Sequence, residues 1–150
     1  MTRGTDAMKQ RISARIAAII DALPLHPGMR VLEIGCGPGV AARAVVHRMG
    51  SGHVLAIDRS ATAIAPATAG CAAEISSGML EFRCIALEDL VLSNGELPYD
   101  LAFAIRVGVL DGRHPAKERL ALHRLRAALT EGGRRYIDGG DPIRVHELER

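Results

Sequence analysis

The stretch VLEIGCGPG, Val31 to Gly39, constrains this chain more than any other. Four branched or acidic residues read as a strand, three glycines and a proline then fill five positions, and VAARAVVHRM (40–49) follows as a helix. A strand that feeds through so bare a turn directly into a helix begins a βαβ unit, and such units build a parallel sheet with helices on its faces. Glycine permits the sharp turn and lets a ligand approach backbone N–H groups that a side chain would cover. The N-terminus of the following helix adds partial positive charge.

The rest of the chain continues this pattern. Met8, Ile12, Ile16, Ile19 and Leu23 recur at helical spacing and predict a first helix over about 6–23, stopped by PLHPG. HVLAID (53–58), LEFRCI (80–85), DLAFAI (100–105) and RRYID (134–138) read as the second to fifth strands. Ser60 is placed to cap a helix beginning ATAIA, which Pro66 must kink or restart. Pro115 starts AKERLALHRLRAALT, with Leu122, Leu125 and Leu129 on one face and EGG as the stop. The expected fold is α/β, a doubly wound, mostly parallel sheet of about five strands. It forms one domain over 1–150, with its core at about 28–140.

Composition narrows the function. Apolar residues at 48% with 24% charged fit a folded globular chain. Two Phe, two Tyr and no Trp leave few rings on which bases could stack. The net charge is +2, the only lysines are Lys9 and Lys117, and the arginines are dispersed, so no basic stripe points to nucleic acid. Cys36, Cys71 and Cys84 have neither CxxC spacing nor an even count, which argues against a disulfide framework or a zinc site and for a reducing compartment. No segment approaches the roughly 18 apolar residues of a membrane span. A cytoplasmic location and no membrane partner are expected.

The dinucleotide fingerprint G-x-G-x-x-G/A, counted from Gly35 and Gly37, needs a small residue at position 40, where this chain has Val40. Its third glycine is Gly39 instead, giving E-x-G-x-G-x-G from Glu33. HVLAID ends in Asp58, placed to accept both ribose hydroxyls of a nucleoside and to disfavour a 2′-phosphate. The glycine loop resembles motif I of the class I S-adenosylmethionine-dependent methyltransferases. LPLHPGMRVLEIGCGPG as a whole, IALEDL, YDLAFA and LRAALTEGGRRYID are similar to further landmarks of that family, in order, over about residues 20–140.

The resemblance implies a Rossmann-like fold, S-adenosylmethionine as cofactor and methyl transfer by in-line displacement. It places Gly35, Cys36 and Gly37 along the methionine moiety, Glu33 toward its ammonium, Asp58 on the ribose and the stem of Arg59 beside the adenine, and it counts Gly39 among the cofactor-binding residues. An aspartate that many members direct at the adenine is Ala86 here, leaving Leu87 and Glu88 to edge the ring, while Arg106 faces the methionine end or the acceptor. Simpler readings stand beside these: Glu33 as a strand-end carboxylate, Asp58 as a helix cap, Arg59 as a solvated charge and Cys36 as a small filler rather than a nucleophile.

The acceptor end falls to RVGVLDGRHP (106–115) and DGGDPIRVHE (138–147). Arg106, Asp111, Arg113 and His114 are its polar candidates. His114 and Asp111 are the ones able to serve as a base, although DGRHP also fits a polar turn into the Pro115 helix. The fourth strand lacks the Asn/Asp-Pro-Pro-aromatic run of base-directed amino methylation, and no Pro-Cys pair is present, which leaves a small-molecule acceptor by elimination. Only ten residues follow RRYIDGG, so the family's C-terminal hairpin is expected to be missing and the fifth strand to lie at the sheet edge. That edge, near 134–138, invites a homodimer, unless the chain is a fragment of a larger polypeptide. The alternative function is a non-catalytic module that binds S-adenosylmethionine or S-adenosylhomocysteine. A nicotinamide-dependent oxidoreductase is disfavoured by Val40.

Overall fold

The computed structural model describes residues 12–105, 114–138 and 143–146. Its strands are β1 (Arg30–Ile34), β2 (His53–Asp58), β3 (Leu80–Cys84), β4 (Tyr99–Ala104), β5 (Leu129–Asp138) and β6 (Ile143–His146). They form one sheet in the order β3-β2-β1-β4-β5-β6, parallel throughout except for β6, which runs antiparallel to β5. The helices are α1 (Ala14–Ala22), α2 (Val40–Met49), α3 (Ala61–Gly70), α4 (Ala72–Ser76) and α5 (Pro115–Ala128). β1 has β2 on one side and β4 on the other, so the order of the sheet reverses at β1 and its carboxyl end is the topological switch point.

The central strands are nearly all apolar because both faces of the sheet are buried. Val31, Val54, Ala56, Leu101, Phe103 and Tyr136 share a core with α1 and α2, whose Ile20, Val45, Val46 and Met49 pack there. On the other face Leu32, Ile34, Leu55, Ile57, Ala102 and Ala104 meet Ala121, Leu125 and Ala128 of α5. Apart from Arg30 at its start, Glu33 is the one polar residue of β1, and it is buried.

Four sequence expectations need correction. The first helix among the described residues starts at Ala14, where the Ser13 hydroxyl accepts from the Ile16 N–H at 3.2 Å, so Ile12 lies ahead of the cap; residues 6–11 fall outside the described residues. Helix α3 runs through Pro66 and stops only at Cys71, whose φ of −117° and ψ of 29° are non-helical; α4, unanticipated from the sequence, follows it. Leu129 is not a helical residue. It begins β5 opposite Tyr99, and the chain then bulges through Thr130–Gly133 before Arg134 meets Leu101. A Cβ on Gly133 would lie 2.9 Å from the Leu129 Cβ and 3.0 Å from the Thr130 carbonyl oxygen, so EGG serves a tight bulge rather than a helix stop.

The fourth correction concerns the edge. β6 pairs with Arg135–Asp138, so β5 is an interior strand and its backbone groups there are already engaged. The physical reason for a dimer through 134–138 is thereby removed. IRVH has the alternation of a short strand, long enough for this one pairing.

Glu74 on α4 ties the helical layer together. Its buried Oε1 lies 2.7 Å from Arg43 Nε and 2.9 Å from His47 Nε2, both on α2. Burial pushes this carboxyl up, but the His47 and Arg43 contacts outweigh it and leave Glu74 below its ordinary value. A lowered acid stabilises the fold above its unfolded pKa, about 4.3 for glutamate, and loses that contribution as pH falls through the folded value. Glu74→Gln is therefore expected to cost about 1.5–3 kcal/mol in denaturant unfolding at neutral pH. The gap from wild type should close as the pH drops below about 4; a gap that persists unchanged would contradict this assignment.

Candidate functional site

Beyond Ile34 the chain leaves the sheet over the end of β2. The Cys36 N–H donates to the Ile57 carbonyl at 2.9 Å, the Gly39 N–H closes back on the Cys36 carbonyl at 3.1 Å, and the Gly39 carbonyl receives the Arg43 N–H at 3.0 Å as α2 begins. Gly35, Gly37 and Gly39 have φ of +68°, +51° and +84°, a left-handed conformation that costs other residues about 1–2 kcal/mol. A Cβ on Gly39 would sit 2.7 Å from Phe82 Cζ, whereas one on Gly37 would meet nothing within 4 Å. Packing thus demands glycine at 39. At 37 the backbone demands it, and the space in front is open.

Asp58, the last residue of β2, fixes this loop. Its Oδ2 accepts from the Gly37 N–H at 2.9 Å and its Oδ1 from the Ser60 N–H at 2.9 Å. Its own carbonyl accepts from the Ile85 N–H at 3.0 Å, and the Ser60 hydroxyl caps α3 by accepting from the Ala63 N–H at 3.3 Å. A carboxylate offers about four lone-pair sites, so each oxygen of Asp58 retains one acceptor position.

Glu33 lies beneath the loop, flanked in register by Ala56 and Phe103. It is 2% exposed, and its Oε1 has no hydrogen-bond partner. Burial pushes this carboxyl up to about 8; the Ala42 N–H in the first turn of α2 offsets part of the rise and the charge of Asp58 adds to it. The Cys36 thiol is likewise pushed up, by burial first and then by Glu33 and Asp58, so it remains a protonated filler of the loop.

The other expected residues are distributed around this centre. Arg59 follows Asp58 and is exposed, and its carbonyl accepts from the Cys84 thiol at 3.7 Å. Ala86 precedes a 3-10 turn, Leu87–Asp89, in which Glu88 is half-buried. The Leu87 side chain is buried in the core on the α5 side. His114 precedes α5, is exposed, and caps nothing with its ring. Arg106, Asp111 and Arg113 lie outside the described residues. Phe82 against Gly39 and the Ala42 N–H facing Glu33 had no signal in the sequence, because both depend on how β3 and α2 close over the loop. Among the described residues no three or more His, Cys, Asp or Glu are grouped to hold a metal ion, and no helix is long and apolar enough to cross a membrane.

A family model described as "Methyltransferase domain" matches residues 31–133, which include the loop, Asp58 and the sheet through the start of β5. The chain belongs to this methyltransferase domain family. A protein-L-isoaspartate O-methyltransferase from Methylorubrum extorquens (strain PA1) is 56% identical over 46 residues, 31% of this chain and 19% of that protein. Among solved structures, the [4+2]-cyclase SpnF superimposes with a TM-score of 0.66 at 22% identity over 81% of this chain and 42% of its own. The CcbJ methyltransferase from Streptomyces caelestis gives 0.66 at 21%, covering 82% of this chain and 50% of its own. A SAM-dependent methyltransferase from Geobacter sulfurreducens, solved with S-adenosyl-L-homocysteine, gives 0.64 at 21%, covering 84% and 47%. The chain spans half or less of the length of each of these proteins, and at these identities the structural likenesses establish the fold alone.

The loop geometry separates two glycine substitutions. Gly37→Ala should lose about 1–2 kcal/mol of stability, from its dihedral alone. Gly39→Ala should lose more, because Phe82 adds an overpacking cost of about 1–3 kcal/mol. Denaturant unfolding of the two variants checks this, and equal losses would contradict the packing described for Phe82.

Proposed function

We propose that this chain binds S-adenosylmethionine in the Val31–Gly39 loop and transfers its methyl group to a small-molecule acceptor by in-line displacement. The observation that carries the reading is the loop itself: three left-handed glycines, the middle one held by Asp58 and fronted by open space, preceded by the buried, unpartnered carboxyl of Glu33. Membership of the methyltransferase domain family supports it, as does a fold shared with a solved methyltransferase that holds S-adenosyl-L-homocysteine.

The residues present fit the cofactor. Backbone at Gly35, Cys36, Gly37 and Gly39 would hold the aminoacyl end, Glu33 its ammonium and Asp58 the ribose through its two remaining acceptor positions. Arg59, the Leu87 backbone and Glu88 would edge the adenine, and Arg106 the methionine end or the acceptor. When bound, the cofactor supplies a methyl group on a sulfonium, a centre open to direct displacement. The protein's contribution is alignment, which is worth about 7–11 kcal/mol for well-oriented reactants. A base is required only for an acceptor that must lose a proton, and His114 or Asp111 would serve there. A second reading, a non-catalytic binder of the same ligands, is favoured by Ala86, which places no carboxylate before the Leu87–Asp89 turn.

Calorimetric titration with S-adenosylmethionine, S-adenosylhomocysteine and NAD tests the assignment. Both sulfur ligands should bind. Asp58→Ala should weaken them by about tenfold or more, since each hydrogen bond to a charged group contributes about 1.5–3 kcal/mol. Tight NAD binding without a response to either sulfur ligand would overturn the reading, and binding without turnover across an acceptor panel would favour the non-catalytic one.

A further inference from the structure

Glu33 is an acid without a cation. Asp58 approaches it from the end of β2 and Cys36 from the loop, and both oppose its ionisation or are themselves uncharged; from α2 it meets only the Ala42 N–H. Its β4 neighbour in register is Phe103 and its β2 neighbour is Ala56. The charged side chains of the covering helices are engaged elsewhere: Arg43 and His47 of α2 with Glu74, Arg48 of α2 with Asp21 of α1, and Arg15 of α1 with Asp138. Among the described residues nothing positive faces the bare Oε1, which is buried and unpartnered; the loop that follows Glu33 meets open space at Gly37.

We propose that ligand binding at this loop is proton-coupled: the ammonium of an aminoacyl-bearing ligand takes the place of the proton on Glu33, which leaves to solvent. The Glu33 O–H bond breaks, its electron pair stays on the carboxylate, and an ion pair with the incoming ammonium replaces it. The inference rests on reading the loop as the aminoacyl subsite. Burial keeps Glu33 protonated at neutral pH in the free protein, and a facing ammonium favours its charged form.

The free protein then binds more protons than the complex, so affinity rises with pH. Below about pH 8 the rise should approach tenfold per pH unit, and it flattens where Glu33 of the free protein loses its own proton. The exchange also acts as a selectivity device. A nucleoside without an aminoacyl end gains nothing from Glu33 and should bind with no pH dependence from this group.

The test is calorimetry at about pH 6.5 in buffers of different ionisation enthalpy, where the dependence of the observed heat on the buffer counts the protons released. S-adenosylhomocysteine should release close to one proton from the wild-type protein, and S-methyl-5′-thioadenosine close to none. Glu33→Gln, which mimics the neutral acid in shape, should bind S-adenosylhomocysteine without releasing a proton and lose the pH dependence of affinity. Should that variant fail to fold, the wild-type comparison of the two ligands decides the matter alone. Binding of S-adenosylhomocysteine with no proton release, or an undiminished release from Glu33→Gln, overturns the proposal while leaving the cofactor assignment intact. Failure of both ligands to bind overturns the cofactor assignment itself, and this proposal with it.

Discussion

The hydrogen bonds that Asp58 accepts from the Gly37 and Ser60 N–H groups are the constraint on which the site depends. A loop with three glycines in left-handed conformation gains little from its own side chains, and glycine loses more conformational freedom on ordering than any other residue. It is held here because β2 lies beside β1 in parallel and ends in a carboxylate just where β1 turns out of the sheet. One side chain thus sets the path of the loop and the start of α3. It still has acceptor capacity to spare, so the same residue that orders the free protein can receive a ligand.

Two buried glutamates show how neighbours decide what burial does. Glu74 and Glu33 are both nearly excluded from solvent, and desolvation raises both. Glu74 has Arg43 and His47 against it and ends below its ordinary value. Glu33 has one backbone N–H and the repulsion of Asp58, and burial leaves it pushed up to about 8. The first arrangement stabilises a helical layer. The second leaves a cost in place, and costs retained in this way cluster where a ligand relieves them.

Much of this was legible in the chain. VLEIG, HVLAID and DLAFAI are apolar runs too short for buried helices and too continuous for half-exposed strands, so their place in a parallel sheet follows from composition alone. Glu33, the three glycines and Asp58 were readable because their spacing is local, and the strands carry that spacing directly into geometry. Long-range packing was not readable. Leu129 fits a helical face after Leu125 as well as it fits a strand, and only its pairing with Tyr99 decides between them. β6 is not readable because four residues carry little periodicity, and the burial of Leu87 in the core on the α5 side cannot be seen from an EDL turn. That Glu33 lacks a partner is likewise a property of the closed core, not of the motif.

The central claim is that the Val31–Gly39 loop, clamped by Asp58, receives the cofactor. The most direct measurement is a backbone amide NMR titration of the protein with S-adenosylhomocysteine. Shifts concentrated at the amides of 33–40, 58–60 and 86–88, with the β5 amides of 134–138 little changed, are the predicted result. A saturable titration that leaves Gly35, Gly37 and Ser60 unmoved while other amides shift would contradict the account.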